Sequence, residues 1–115
     1  MGIAEGLKRG TIEIILLSLL RQRDMYGYDI CREIEEKSNG LYVVTEGSLY
    51  PVLYRMLEKG YITDRSEKVG KRRTRVYYHI EQSGIKYLEE IKDEYFSLHN
   101  GIKLILDSSA EDSEQ

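Results

Sequence analysis

Apolar residues recur every three or four positions near the carboxyl end of the chain, and this repeat limits the possible folds. The repeat consists of Ile85, Leu88, Ile91, Tyr95, Leu98, Ile102 and Ile105. Such spacing is close to the 3.5-residue period of a coiled-coil seam. It predicts one long helix over residues 81–106 that pairs with a second copy of the chain. Residues 107–115 are small and acidic, which predicts a disordered tail.

Two shorter helices are predicted near the amino end. The first begins at Thr11, which is expected to cap it, and is apolar on almost all sides through Leu20. Such a helix needs cover on two faces, one of them from a second subunit. The second runs from Gly27 to Lys37, and Asn39-Gly40 is expected to end it.

A third helix is predicted to begin between Thr45 and Ser48 and to end at Gly60. Pro51 is expected to be tolerated because it lies in about the first turn. The predicted buried face consists of Leu49, Val52, Leu53, Met56 and Leu57. The opposite face carries Gly47, Pro51, Tyr54, Arg55 and Glu58, with Ser48 and Tyr50 at its edges.

Two alternating segments, residues 62–67 and 74–80, predict a β-hairpin around a basic turn at Gly70. Residues 65–75 contain six basic side chains and one acidic one, although the whole chain has a net charge of −3. Three helices followed by a hairpin predict a mainly α fold with a small β-hairpin, a winged helix-turn-helix over residues 1–80. In that fold the third helix enters the DNA major groove and the hairpin is the wing.

Composition excludes several other classes of protein. At 115 residues the chain has room for one domain, and 41% hydrophobic with 32% charged residues is typical of a soluble globular protein. No apolar run is long enough for a bilayer span, and no signal-peptide cleavage pattern follows the longest one. The single cysteine, Cys31, excludes an intramolecular disulfide. A cytoplasmic protein is therefore expected.

Catalytic and metal chemistry are not indicated by the sequence. His79 and His99 lack cysteine or carboxylate partners at ligand spacing, and no phosphate loop, nucleophile motif or carboxylate pair is present. Cys31 is expected to be a buried small apolar residue, with a redox sensor as the alternative. We therefore expect no enzyme activity, no metal and no cofactor.

A DNA interface is predicted on the third helix and the wing. Its residues are Thr45, Ser48, Tyr50, Tyr54, Arg55, Lys71, Arg72, Arg73, Arg75 and Tyr77. Basic wing residues would contact phosphates, and Arg55 is the best candidate for a bidentate contact to guanine. Two alternatives remain open: the basic turn is a solvated charge run, or the winged helix is a protein-binding module whose long helix docks a partner.

Several short motifs resemble the PadR family of bacterial transcriptional regulators. They are Tyr26-Gly27-Tyr28-Asp29-Ile30, the block from Glu46 to Leu53, Leu57-Glu58-Lys59-Gly60 and Tyr77-Tyr78. The resemblance covers residues 10–106 and implies a homodimeric repressor that binds a palindromic operator. The single long carboxy-terminal helix is similar to that of the short subfamily. The wing of this family usually has small residues or proline before the tyrosine pair, whereas this chain has the strongly basic Lys71-Arg72-Arg73.

Two further sites follow from the repeat and the resemblance. The predicted dimer interface consists of Ile15, Leu16, Leu88, Ile91, Tyr95, Leu98, Ile102 and Ile105. Some short PadR proteins bind flat hydrophobic compounds at the dimer interface, which implies a planar apolar effector. Phe96 lies next to the seam and could stack on such a ligand, or it could simply pack on the partner's first helix.

Overall fold

The computed structural model contains five helices and three short strands in its described part, which covers the backbone of residues 3–114 and the side chains of residues 6–108. The elements are α1 (Ile3–Lys8), α2 (Thr11–Gln22), β1 (Met25–Tyr26), α3 (Gly27–Lys37), α4 (Glu46–Glu58), β2 (Ile62–Lys68), β3 (Thr74–Ile80) and α5 (Gln82–Glu114). This order confirms the predicted winged helix followed by a long helix. Helix α1 and strand β1 were not predicted from the sequence.

The amino-terminal end of α2 differs from the prediction that Thr11 caps it. The capping residue is Gly10, with a φ of 85° and no side-chain cap. The Thr11 hydroxyl donates instead to the backbone carbonyl of Lys8 at 2.6 Å and is hydrogen-bonded with the Tyr42 hydroxyl. Thr11 therefore joins α2 to the segment that precedes α4.

Helices α3 and α4 follow the predicted bounds closely. Beyond Lys37 the backbone turns through positive φ values at Asn39 (53°) and Gly40 (78°), which ends α3 as expected. Pro51, however, is the sixth residue of α4, so its placement in the first turn is wrong. Its missing N–H leaves the Gly47 carbonyl without a helical donor, and this is tolerated because both residues are solvent-exposed.

The three strands form one antiparallel sheet in the order β1-β3-β2. Hairpin pairing runs from Ile62 opposite Ile80 to Lys68 opposite Thr74, and β1 adds Met25 opposite Tyr78. Strand β1 is two residues long, too short for the alternation by which a strand is recognised in sequence. It nevertheless fixes the sheet to the start of α3.

The core is formed by α2, α3, α4, the first turns of α5 and the inner face of the sheet. Its fully buried members include Leu16, Leu17, Leu20, Met25, Ile30, Leu49, Leu53, Met56, Ile62 and Leu88. Leu16 is 0% exposed and Leu88 2% exposed, so neither side chain has surface left for a partner. Their assignment to the dimer interface is wrong, because an apolar repeat does not distinguish burial within a chain from burial between chains.

Helix α5 leaves the domain after its first turns. Gly84 allows the close approach of its start to β2, since a Cβ there would lie 2.2 Å from the Tyr61 carbonyl oxygen. The helix continues to Glu114, past the predicted end at residue 106. Of the tail predicted to be disordered, Gln115 lies outside the described residues. Residues 102–114 contain no glycine or proline that would stop a helix. Among the described helices, none is long and apolar enough to cross a membrane.

Candidate nucleic-acid interface

Helix α4 presents its polar face to solvent, as predicted, while Leu49, Val52, Leu53 and Met56 are buried. Thr45 begins the helix as its N-cap: its hydroxyl accepts from the Ser48 amide at 3.2 Å and donates to the Ser48 hydroxyl at 3.1 Å. Both predicted DNA residues therefore set the start of α4. Tyr54 is 61% exposed and is the most prominent aromatic side chain on this face.

Tyr50 is half-buried and lies between α3 and α4. A Cβ at Gly27 would lie 2.8 Å from its hydroxyl oxygen, so glycine at position 27 permits this packing. The Tyr50 ring stacks beside that of Tyr54, with centroids 6.2 Å apart. Burial raises the pKa of Tyr50, and the negative charge of Glu46 raises it further. Tyr50 therefore holds α4 on α3 and supports Tyr54 from one side.

The wing is the loop between β2 and β3, with the neighbouring ends of both strands. Lys71, Arg72 and Arg73 are exposed in this loop, which closes through a hydrogen bond from the Val69 amide to the Arg73 carbonyl at 3.0 Å. At Gly70 the backbone has a φ of 112°, a conformation that side-chain-bearing residues rarely adopt. Three cations are thus held at the tip of a short hairpin.

Arg75 and Tyr77, on β3, contact Tyr26 of β1. The Arg75 guanidinium lies 4.3 Å from the centre of the Tyr26 ring, in a cation–π arrangement. The Tyr77 ring meets Tyr26 edge-on at 5.6 Å, and Arg65 lies 5.3 Å from the Tyr77 ring. These contacts orient the base of the wing and leave Tyr77 partly buried.

A cleft of about 450 Å³ separates α4 from the wing. Tyr50 and Tyr54 line it from α4, Tyr28 from α3, and Thr74 and Arg75 from β3. Three of the ten predicted DNA residues, Tyr50, Tyr54 and Arg75, thus line this cleft, and a fourth, Arg73, lines a neighbouring cleft beside Tyr28. The aromatic lining and the cations suit sugar and phosphate contacts.

Arg55 lies on the other flank of α4, away from this cleft. Its guanidinium forms an ion pair with Glu13 of α2 at 3.5 Å, and Glu13 also accepts a hydrogen bond from the Tyr87 hydroxyl at 2.8 Å. The Arg55 side chain is 52% exposed and that of Glu13 17%, and at a separation of 3.5 Å the pair contributes about 1 kcal/mol. The exposed guanidinium of Arg55 can still contact DNA.

Two charged clusters in the structure were not predicted from the sequence. Asp29, 5% exposed, is bridged by Arg23 at 2.8 Å and Arg32 at 2.7 Å. Burial alone would raise the pKa of Asp29, but the hydrogen bonds from both arginines outweigh it and lower that pKa. The cluster holds the start of α3, and its i, i+3 pair was visible in the sequence.

The second cluster joins the sheet to the end of α2. Asp24 contacts Nδ1 of His79 at 2.7 Å and forms an ion pair with Arg65. Partial burial opposes ionisation, yet the hydrogen bonds from His79 and Arg65 lower the pKa of Asp24 overall. No local sequence signal could have revealed it, because the three residues come from distant segments. His79 thus has a structural partner.

Cys31 is a free cysteine on α3 whose side chain is partly buried. Burial raises the pKa of the Cys31 thiol, and the charge of Glu46 adds to that effect, so the thiol stays protonated near neutral pH. Within the described part of the chain, no group of three or more His, Cys, Asp or Glu side chains could hold a metal ion.

Comparisons with known proteins give a consistent result. A family model described as the transcriptional regulator PadR-like family matches residues 16–90. The solved structure of a transcriptional regulator from Clostridium thermocellum has a TM-score of 0.80 and 35% identity, covering 85% of this chain and 95% of that one. A protein of Lysinibacillus sphaericus is 32% identical over 99 residues, which are 86% of this chain and 91% of that protein.

A further solved structure contains nucleic acid. Bacillus subtilis PadR in complex with operator DNA has a TM-score of 0.65 and 26% identity, and the match covers 70% of this chain and 46% of that one. The residues matched by the family model run from α2 into α5 and include α4, the wing and the cleft between them. Members of this family are transcriptional regulators, not enzymes. On this match the chain belongs to the PadR-like family of transcriptional regulators.

Proposed function

We propose that the protein is a repressor that binds a palindromic DNA operator as a homodimer. The observation that carries this proposal is the exposed face of α4 beside a wing whose Lys71, Arg72 and Arg73 are exposed at its tip. Bacillus subtilis PadR, a similar protein, has been solved with operator DNA. A regulator of this kind has to reach the chromosome, so we place it in the cytoplasm.

The wing and α4 divide the work of DNA binding. Contacts from a hairpin tip neutralise phosphates and release counterions, so they set affinity with little sequence information. Ser48, Tyr54 and Arg55 project from a rigid helix, where base edges in the major groove can be distinguished. Thr45 and Tyr50 support that helix, and Tyr77 supports the wing.

The test compares two groups of variants on two kinds of DNA. An operator is first selected from a random DNA pool, and binding to it and to a random duplex is measured at several salt concentrations. Arg72→Ala with Arg73→Ala should weaken both complexes and lower the salt slope by about two units for each wing engaged. Lys103→Ala, an exposed charge on α5, is the control.

Arg55→Ala and Tyr54→Ala should cost more on the operator than on the random duplex, by about 1–3 kcal/mol for Arg55. Melting temperatures separate this role from the ion pair with Glu13, since a purely structural arginine would alter stability and leave selectivity unchanged. If the wing variant loses selectivity while the α4 variants keep it, the roles are reversed.

Dimerisation is supported by exposed apolar side chains on α5. Leu98, Ile102 and Ile105 are each at least half exposed, and Tyr95 is more than a third exposed. Ile15 lies in an apolar groove between α2 and α3 that a second copy can cover. The proposed interface therefore keeps these residues and Ile91, which is partly buried at the edge of the core.

An effector site beside the dimer interface is the second part of the proposal. Phe96 is 54% exposed and meets Tyr95 edge-on, with ring centroids 5.2 Å apart. Two accessible aromatic rings can hold a planar apolar compound by stacking. Such a compound would release the repressor from DNA by changing how the two subunits pack.

A protein-binding module is the competing function. A docking hairpin has no need of a strongly basic tip, whereas a phosphate-contacting one does. Binding to a random duplex that weakens steeply with salt supports the DNA function. Binding that is absent at low salt would favour the module.

A further inference from the structure

Pairing with carboxylates divides the nine arginines of this acidic chain into two groups. Five form ion pairs: Arg21 with Glu89, Arg23 and Arg32 with Asp29, Arg55 with Glu13, and Arg65 with Asp24. Among the side chains of residues 6–108, the other four have no carboxylate partner: Arg9, Arg72, Arg73 and Arg75. Three of these belong to the wing. Arg9 lies elsewhere, in the turn between α1 and α2.

This turn is held next to the start of α4. The ammonium group of Lys8 donates to the Val43 carbonyl at 2.6 Å and lies 5.2 Å from the centre of the Tyr42 ring. Arg9 is exposed and lines a cleft of about 270 Å³ together with Thr45 and Ser48. An unpaired guanidinium is thus placed beside the first turn of the helix proposed to read DNA.

The wing and Arg9 lie on opposite flanks of α4. At about 100° per residue, Ser48 and Arg55 share one flank, while Tyr50 and Tyr54 share the other, with Pro51 between them. The Tyr50–Tyr54 flank faces the wing, and Ser48 faces Arg9. A helix in the major groove, about 12 Å wide, has a phosphate strand on each side. A wing on one flank can neutralise only the nearer strand.

We propose that Arg9 is a second phosphate-contacting residue, which binds the DNA strand on the side of α4 away from the wing. This inference rests on the proposed DNA-binding function and adds a partner for that surface. Lys8 acts as a positioning residue, because its contacts with Val43 and Tyr42 hold the turn against the segment before α4. Arg9 is free to bind phosphate without breaking an ion pair to any described side chain.

The experiment measures binding of the full chain to a random 30-base-pair duplex over a range of salt concentrations. Arg9→Ala should weaken binding about five- to tenfold at 0.1 M salt and lower the slope by about one unit for each subunit bound. Arg9→Lys should keep most of the wild-type affinity and salt slope, since lysine also binds phosphate as a point charge. Lys103→Ala removes the same charge about 22 Å along α5 from the core residue Leu88 and should have little effect.

Combining Arg9→Ala with Arg72→Ala and Arg73→Ala should add the two losses of slope, because the two flanks contact different strands. On the selected operator, phosphate-ethylation interference for Arg9→Ala should then lose one group of phosphates in each half-site, on the strand that the wing of that half-site does not contact. If wild type binds with steep salt dependence and Arg9→Ala binds equally well, this inference is wrong while the DNA function stands. If wild type itself does not bind duplex, the proposed function fails.

Discussion

The two halves of α5 carry one continuous apolar repeat but have different surroundings. In the proximal half, residues 82–92, Leu88 is 2% exposed and Ile85 and Ile91 pack against the core. In the distal half, residues 93–108, Leu98 is 67% exposed, and Ile102 is also exposed. The repeat therefore predicts a helix with an apolar stripe, and it does not say whether that stripe is covered by the same chain or by another.

Polar and aromatic anchors account for the difference. The proximal half is tied to the domain by the Tyr87 hydroxyl, which donates to Glu13, and by stacking of Tyr87 on Tyr61 with ring centroids 4.3 Å apart. An ion pair between Arg21 and Glu89 adds a further contact to α2. Tyr95, in the distal half, makes its ring contacts with Phe96 and His99 of the same helix. Docking on the core thus ends after about three turns, and the distal residues of the stripe are the ones that we propose pair with a second copy.

The largest effect is expected from a charge in the distal stripe. Leu98→Glu should place an unpaired carboxylate in each half of the dimer seam and raise the dimer dissociation constant about 1000-fold or more. A monomer binds a single half-site, so operator binding should be lost when dimerisation is lost. Analytical ultracentrifugation and operator titration measure both.

Asn100→Glu is the matched control, because position 100 lies on the side of α5 opposite Leu98 and is also exposed. Circular dichroism should show that both variants keep a folded winged helix. A stable dimer in Leu98→Glu would show that the distal stripe is not the interface.

The next largest effect concerns the proximal half and the stability of the single chain. Leu88→Ala should lower the free energy of unfolding by about 2–5 kcal/mol, because it leaves a cavity in the core. In the Leu98→Glu monomer, Ile102→Ala should change the free energy of unfolding by less than about 0.5 kcal/mol. Denaturant titrations measure both free energies. Equal losses of stability for the two substitutions would show that the two halves of α5 do not differ in their packing on the core.

Most of the fold was predictable from the sequence because its elements have strong local patterns. The apolar face of α4, the two strands of the hairpin and the end of α3 at Asn39-Gly40 were all predicted correctly. Strand β1 was missed because two residues cannot show a period. The position of Pro51 was misjudged because the true first turn depends on Thr45 as the N-cap, which only the structure locates.

The candidate site was predictable in its residue types and less so in its arrangement. The basic wing and the exposed tyrosines followed from composition and helical phase. The pairing of Arg55 with Glu13 and the position of Arg9 beside Ser48 could not be predicted in this way, because each brings together residues more than 30 positions apart in the sequence. Long-range placement of charges decides which arginines are available to DNA, and a local pattern carries no information about it.

The smallest effect is expected at Phe96, which lies about 100° round the helix from Tyr95 and so beside the distal stripe. If Phe96 stacks on a planar apolar effector, Phe96→Ala should weaken binding of a planar hydrophobic dye about two- to tenfold, the loss of one aromatic contact. Leu104→Ala removes another exposed apolar side chain of the distal half and should leave dye affinity unchanged. Fluorescence titration with the dimeric protein measures both affinities, and sedimentation measures the dimer.

If Phe96 instead packs on α2 of the partner subunit, Phe96→Ala weakens the dimer and leaves dye affinity per dimer as in wild type. The two results separate a ligand contact from a subunit contact, because a side chain buried between subunits has no face left for a dye.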